Sequence, residues 1–290
     1  MEDSQSYIDV RGVGRSFERD GRTREVLRGV SLQVAEGEFV SIVGAMGSGK
    51  STLLGIMAGL QSPTAGTVTV GGALVTDLVA GAAFVFQNYS LLPWLSALEN
   101  VRLAVQAAFP SATAAEQRAR ATSALERVGL GNAVDRKPKQ LSGGMRQRVA
   151  LARAFATEPS VLFLDEPFGA LDALTRETLQ QDLAVLCDSR EKPVTTVMVT
   201  NNLDEAILLS DRIVPMVPGP PATLGAAVHV PLPRPRSTAL LVGDDDAARA
   251  RTDIIAALTA GGSRQRLAAA GRSVHFGAAN AEPAKATGQS

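Results

Sequence analysis

A glycine-rich loop that ends in lysine and serine is the part of the sequence best suited to chemistry. The run GAMGSGKST fits the pattern G-x-x-x-x-G-K-[ST], in which backbone N–H groups surround a polyphosphate. In that pattern the lysine, here Lys50, holds the β- and γ-phosphates, and the hydroxyl of Ser51 binds Mg²⁺. The predicted nucleotide-binding residues are Gly44, Ala45, Met46, Gly47, Ser48, Gly49, Lys50, Ser51 and Thr52.

Two adjacent acids follow an apolar run further along the chain. The sequence VLFLDEP contains Asp165 and Glu166, and its apolar part is typical of a parallel strand buried on both faces. Alone, such a run is more often a strand that leaves the core than a catalytic site. Together with the phosphate loop it predicts an NTPase, in which Asp165 anchors the Mg²⁺ shell and Glu166 deprotonates or orients the attacking water.

A third motif, LSGGMRQR, has a serine and two glycines at the start of a predicted helix. Ser142 can cap this helix, and Gly143 and Gly144 leave its first N–H groups open to a phosphate. Because the chain already has one phosphate loop, this second element favours contact with the nucleotide of a partner. A helix cap with a solvated basic face explains the same residues equally well.

These motifs need an α/β framework to position them. Short apolar strands alternate with helical stretches, the pattern of a largely parallel sheet. The phosphate loop lies between a predicted strand at 38–44 and a predicted helix at 50–60. The other predicted elements are strands at 66–71, 82–86, 161–164, 194–200 and 212–217 and a helix at about 173–189.

The segment from about 91 to 157 differs from the rest, because apolar residues recur in it at helical spacing. It is therefore predicted to be a helical subdomain within one domain that spans 1–236. The residues at helical spacing are Ala121, Leu125 and Val128, and Met145, Val149 and Ala152.

The C-terminal part, 237–290, is predicted to be a tail. One helix is expected from Asp245 to Leu258. The last thirty or so residues have too little apolar bulk to fold alone, so they are expected to be disordered.

Charge and composition exclude several classes of protein. The 29 Lys and Arg residues balance the 29 Asp and Glu residues, which argues against binding nucleic acid mainly through its phosphates. The single cysteine, Cys187, excludes an internal disulfide and a cysteine-rich zinc site. The N-terminus lacks the features of a secretory signal, and the uncharged run 78–98 has polar residues at its centre. We therefore expect a cytosolic chain without a membrane span.

Over residues 7 to 235 the three motifs, in this order and spacing, resemble the ATP-binding subunit of an ABC transporter. The resemblance implies a RecA-like P-loop NTPase core with a helical subdomain, and ATP and Mg²⁺ as cofactors. It also implies two such subunits that face each other head to tail. Each ATP would then be held between the phosphate loop of one subunit and residues 142–144 of the other.

The same resemblance assigns further residues. Phe17 takes the place of an aromatic residue that stacks on adenine, although a lone Phe in a strand is usually part of the core. Gln87 matches a glutamine that contacts Mg²⁺ and water and senses the membrane subunit. Asp172, in the run GALD, matches a loop that links the two ATP sites. Met46 replaces a small polar residue of many relatives. The phosphate loop is expected to tolerate Met46, because the loop contacts the phosphates through backbone N–H groups.

The sequence departs from the family's pattern at one position. The family usually has a histidine after the strand that follows the catalytic acid, where this chain has Asn201 in the run VTNNLDE. The two histidines of the chain, His229 and His275, lie too far along to replace it. Asn201 is therefore expected near the γ-phosphate, as a catalytic residue and the weak point of hydrolysis.

The runs FQNYSLLPW and FGALDALTR are similar to importers of nitrate, sulfonates and taurine. Within that branch, VTNNLDEAILLSDRI followed by residues 219–225 and 231–236 is most similar to nitrate importer ATPases. The resemblance implies a peripheral subunit at the cytoplasmic face of the inner membrane, bound to separate permease subunits and served indirectly by a periplasmic binding protein. The second ATPase subunit is an identical or a different chain. A sulfonate or taurine importer, a soluble ABC-type ATPase acting on DNA or ribosomes, and a regulator that scarcely hydrolyses ATP stay open as alternatives.

Overall fold

The computed structural model describes residues 6–19, 21–188, 193–219 and 221–273. Its strands are β1 (Ile8–Arg19), β2 (Arg22–Val34), β3 (Phe39–Val43), β4 (Ala65–Val70), β5 (Ala73–Leu74), β6 (Ala82–Val85), β7 (Val161–Asp165), β8 (Thr195–Thr200), β9 (Arg212–Val217), β10 (Thr223–Leu224) and β11 (Val228–His229). Its α-helices are α1 (Lys50–Met57), α2 (Ala97–Ala108), α3 (Ala114–Arg127), α4 (Gly143–Phe155), α5 (Ala173–Cys187), α6 (Leu203–Leu209), α7 (Thr238–Gly243) and α8 (Asp245–Ser273).

A parallel sheet forms the centre of the molecule. Five strands pair in parallel in the order β9-β3-β8-β7-β6, and the short strands β10 and β11 pair antiparallel with β9. The residues of β3 and β8 are all buried, as expected where helices cover both faces of a parallel sheet. The carboxyl ends of β3, β6, β7 and β8 therefore meet at one edge.

A second, antiparallel sheet has four strands in the order β2-β1-β4-β5. The strand predicted at 66–71 belongs to this sheet and not to the parallel one, and the long strands β1 and β2 were not predicted. Their pairing shifts register at three points, and these irregularities break the apolar alternation that predicts a strand. The inner face of this sheet packs on α1 and on the parallel sheet in one core cluster.

The segment that was predicted to be mostly helical contains α2, α3 and α4. Ser96 and Glu99 form a capping box at the start of α2, and Thr113 and Glu116 form another at α3. The facing apolar sides of the three helices make a separate core, which includes Val101, Leu125 and Val149. The other face of α4 packs with α5 against the parallel sheet.

The tail helix is longer than predicted. It was expected to end near Leu258, but α8 continues through Ser273. The added stretch contains four Ala and three Arg, which favour helices, together with three Gly, which do not. The first half of α8 packs on α6 and β9 through Ala247 and Ile254. The expected disorder of the remaining residues, 274–290, lies outside the described part of the chain. Among the helices that the structure describes, none has the length and apolar character needed to span a bilayer.

Candidate nucleotide-binding site

The phosphate loop joins β3 to α1 in the conformation that its glycines permit. Gly47 and Gly49 have φ of 72° and 98°, values that side chains rarely adopt. A Cβ at Gly49 would also lie 3.0 Å from Leu27 Cδ2. The buried Lys50 donates from Nζ to the carbonyl oxygens of Gly44 and Ala45, both at 3.0 Å. These contacts hold the ammonium group at the floor of the loop.

The two predicted acids lie next to this loop. The hydroxyl of Ser51 donates to Asp165 Oδ1 at 2.9 Å. Lys50 Nζ lies 3.5 Å from Glu166 Oε1, and Gln87 Nε2 donates to Glu166 Oε2 at 3.2 Å. Residues from three separate segments therefore meet at the carboxyl edge of the parallel sheet.

Electrostatics at Asp165 reflect its position at the end of a buried strand. Burial raises the pKa of Asp165, and the nearby Glu166 charge acts in the same direction. The hydrogen bond from Ser51 and the charge of Lys50 act in the opposite direction. A bound cation would favour the ionised carboxylate further.

Glu166 has a φ of 42°, a left-handed conformation that is uncommon for a residue other than glycine. Its N–H donates to the carbonyl of Val199 at 2.9 Å, and its carboxylate contacts Lys50 and Gln87. The backbone and the side chain are therefore both fixed. Strain that is held in this way is often found at functional sites.

The residues present fit Mg²⁺ and a polyphosphate. Ser51, Asp165 and Gln87 offer hydroxyl, carboxylate and amide oxygens, the donors that Mg²⁺ prefers. Ser48 Oγ is buried in the loop and has no hydrogen-bond partner within the described residues. It is therefore available to a phosphate oxygen or to water.

An open cleft of about 410 Å³ follows the phosphate loop. Phe17 is not among its lining residues. Instead Arg24, which pairs with Phe17 across β1 and β2, lines the cleft with Val26 and Gly219. Phe17 is 38% exposed, and the Arg15 guanidinium lies 4.6 Å from its ring centroid. Sequence reasoning missed these three lining residues, and for Arg24 the only signal is its register opposite Phe17.

Asn201 lines a smaller adjoining cleft of about 230 Å³. Glu166, Gln87 and Met46 line the same cleft, so Asn201 and the acid face a common space. Asn201 is exposed and follows the buried end of β8. The structure thus brings Asn201 to the edge where Glu166 and Gln87 lie.

Residues 142–144 and Asp172 are not among the described residues that line either cleft. Ser142 is exposed and caps α4 by accepting from the N–H of Met145 at 3.2 Å. A Cβ at Gly144 would lie 2.4 Å from Thr175 Cγ2, so this glycine is also needed for packing. Asp172 caps α5 in the same way, and the N–H of Thr175 lowers the pKa of its carboxylate.

The loop after Gln87 is fastened to α4. Tyr89 and Ser90 have φ of 63° and 47°, and Arg153 donates to their carbonyl oxygens at 2.8 and 2.6 Å. Further along, Trp94 is 65% exposed. The loop therefore has one end at Glu166 and an exposed aromatic residue at the other.

Comparison with known proteins places this geometry in context. The model of a family described as "ABC transporter" matches residues 27–169. The bicarbonate transport ATP-binding protein CmpD of Synechocystis is 46% identical over 239 residues, which are 82% of this chain and 84% of that protein. The nitrate import ATP-binding protein NrtD of Synechococcus elongatus is 45% identical over 243 residues, 84% of this chain and 88% of that protein. These relatives confirm the resemblance seen in the motifs.

Other relatives are much longer than this chain. The bicarbonate transport ATP-binding protein CmpC of Synechocystis is 46% identical over 250 residues, and this chain spans only 37% of its length. Among solved structures, the dimeric ATP-binding cassette MJ0796, in a post-hydrolysis state bound to ADP and Pi, has a TM-score of 0.69 at 35% identity. The match covers 77% of this chain and 98% of that one. It confirms the predicted α/β fold class.

Proposed function

The chain belongs to the ABC transporter family, and on this premise we propose that it is the ATP-hydrolysing subunit of an importer for a small anion. One observation carries the proposal. The phosphate loop, two acids and a glutamine converge at the carboxyl edge of one parallel sheet. Ser51 is hydrogen-bonded to Asp165, while Gln87 donates a hydrogen bond to Glu166 and Lys50 forms an ion pair with it. This is the set of groups that phosphoryl transfer to water requires.

Each residue has a distinct role in this proposal. Lys50 would donate to the β- and γ-phosphates from the floor of the loop. Ser51, Asp165 and Gln87 would hold Mg²⁺, which would neutralise phosphate charge. Glu166 accepts a proton from the attacking water or orients it. Its contact with Lys50 and Gln87 keeps the carboxylate aimed at the cleft.

Asn201 takes the place of a more basic group in this site. Its amide can donate a hydrogen bond toward the γ-phosphate, but it cannot become cationic. The shared cleft with Glu166 supports this placement. We expect slow turnover in a dimer of identical chains, or a different partner subunit that supplies a complete second site.

Residues 142–144 and Asp172 serve the opposite subunit. The support is that none of them lines the chain's own clefts, while the start of α4 presents exposed N–H groups suited to a phosphate. The dimeric structure of the similar MJ0796 is consistent with two such chains acting together. Phe17 contributes an adenine contact.

Nitrate is the favoured cargo, and bicarbonate is a second candidate because the relatives named for it are similarly identical to this chain. In either case the chain acts at the cytoplasmic face of the inner membrane. It binds separate permease subunits there, and a periplasmic protein delivers the anion to them.

The test uses the chain assembled with its cognate membrane subunits, reconstituted in vesicles with their binding protein. We expect ATP hydrolysis that nitrate stimulates and that taurine does not. Stimulation by bicarbonate and not by nitrate would show that bicarbonate is the transported anion. Fractionation of the native complex away from membranes would indicate a soluble ATPase, and absence of turnover in the full assembly would indicate a regulator.

A further inference from the structure

Glu205 is a buried acid to which the proposed chemistry assigns no role. It lies in the first turn of α6 and is 3% exposed. Gln180 Nε2 donates to its Oε1 at 3.2 Å, and the hydroxyl of Thr200 donates to its Oε2 at 2.5 Å. A carboxylate that is almost fully buried needs such partners, so these contacts are built into the fold.

The Thr200 hydroxyl links this carboxylate to the turn that carries Asn201. The same Oγ1 accepts from the N–H of Asn202 at 3.1 Å. The side chain of Asn202 in turn accepts from the N–H of Asp204 and of Glu205, at 3.0 and 3.3 Å. Both ends of the turn 200–202 are therefore hydrogen-bonded to Glu205: Thr200 to its carboxylate and Asn202 to its backbone N–H.

Gln180 links the same carboxylate to α5. This helix is capped by Asp172, the residue expected to face the partner subunit. Arg176, one turn before Gln180, lines the smaller cleft together with Glu205 and Asn201. Glu205 thus joins three elements, the end of β8, the start of α6 and the middle of α5, directly behind Asn201.

We propose that Glu205 is a positioning residue for hydrolysis, which fixes the turn 200–202 against α5 and so holds Asn201 opposite Glu166. The inference rests on the proposed function, because it assumes that Asn201 acts in turnover. The carboxylate of Glu205 acts through Thr200, and the backbone N–H of Glu205 closes the turn on Asn202.

Glu205→Gln is the decisive variant. Both partners donate to the carboxylate, whereas an amide of the same shape offers only one acceptor oxygen. One of the two hydrogen bonds must therefore be lost or reverse its direction, without a change of volume. We expect the kcat of the assembled transporter to fall about tenfold, because small misplacements at a reacting centre are costly. The KM for ATP and the affinity for nucleotide should change less than twofold.

A double-mutant comparison separates positioning from a merely structural role. If Glu205 acts through Asn201, Glu205→Gln should cause no further loss of kcat in an Asn201→Ala background. Asp204→Asn, the same change at the exposed neighbouring acid on α6, is the matched control and should leave kcat within twofold in both backgrounds. Equal losses from Glu205→Gln in the two backgrounds would overturn the inference.

Two further measurements keep the test decisive if Glu205→Gln folds poorly or the assembly is inactive. Thr200→Val removes the linking hydroxyl at equal volume and should reproduce the loss of kcat, whereas Thr200→Ser should retain activity. Hydrogen exchange at the Asn202 amide should be faster in Glu205→Gln than in the parent chain. Unchanged exchange at the Asn202 amide would contradict the inference. If the parent assembly is inactive but exchange is faster in Glu205→Gln, the result would count against the proposed function alone.

Discussion

At the residue scale, two hydrogen bonds and one ion pair fix the side chains of the site: Ser51 on Asp165, and Gln87 and Lys50 on Glu166. Lys50, Ser51, Asp165 and Glu166 were identifiable because each belongs to a local pattern with a fixed spacing. Glu205 belongs to no such pattern. Its role depends on Gln180, 25 positions away in the sequence, so its neighbours could not be inferred from the chain alone.

Phe17 shows a second limit of residue-level prediction. The resemblance assigned it to adenine, while the described cleft is lined by Arg24, its partner across the two strands. Cross-strand neighbours depend on register, and β1 and β2 shift register three times. The assignment of Phe17 therefore stays a prediction.

Asn201→His is the most informative substitution for the departure from the family's pattern. A histidine can donate over a longer reach and can carry positive charge next to a transition state rich in negative charge. Since one such donor contributes on the order of 3 kcal/mol, or roughly a hundredfold in rate, the variant should raise the ATPase rate of the assembled transporter or leave it unchanged. A tenfold fall with the dimer intact would show that Asn201 has a specific role of its own.

Gln87→Ala tests the loop that begins at Gln87, next to Glu166. Gln87 contacts Glu166, and Arg153 holds the loop after Gln87 on α4. Without the amide, the position of this loop should no longer depend on which nucleotide is bound. We expect cargo-stimulated hydrolysis to fall more than basal hydrolysis. Asn88→Ala, at the exposed neighbouring amide, serves as the control, and equal reductions of both rates by Gln87→Ala would indicate a purely catalytic residue.

At the scale of elements, the sequence predicted what continuous apolar runs determine. Strands β3, β7, β8 and β9 were predicted to within a residue or two, because strands buried on both faces form short runs of mostly apolar and β-branched residues. Strands β1 and β2 of the antiparallel sheet were missed because charged and glycine residues interrupt their apolar alternation. Helix α1 was predicted too long, since Gly59, with φ of 77° and the Asp77 carbonyl 2.0 Å from where a Cβ would be, ends it.

The thiol of Cys187 reports on the packing of α5 against β8. Burial raises its pKa to about 12, and Thr196 Oγ1 lies 3.7 Å from its sulfur. Because the thiolate is the reactive form, a thiol reagent at pH 8 should modify the native chain only as fast as it unfolds. Complete labelling of the native chain within the mixing time would contradict the packing of α5.

The same pKa shift predicts how stability depends on pH. The folded thiol holds its proton more tightly than the unfolded one, whose pKa is near 9.0. Its contribution to stability is therefore fully present below that value and is lost as the pH rises toward 12. Denaturant unfolding between pH 8 and 11 should show this decline, and Cys187→Ala should reduce it.

At the scale of the whole molecule, the site is expected to be completed by a second subunit. Ser142→Arg places a bulky cation where the partner's phosphates would lie, so turnover should be abolished while ATP affinity of the isolated chain is nearly intact. Thr113→Arg removes the cap of another helix in the same subdomain and should leave turnover largely unchanged. A large loss of ATP binding by the isolated Ser142→Arg chain would contradict a site shared between subunits.

The central claim is that Glu166 activates water for ATP hydrolysis in this cleft, and Glu166→Gln tests it most directly. The amide fills the same space but is a poor proton acceptor. With ATP binding and hydrolysis measured on the same assembled preparation, the account predicts unchanged ATP affinity and hydrolysis slower by about a hundredfold or more. Undiminished turnover by this variant would contradict the account.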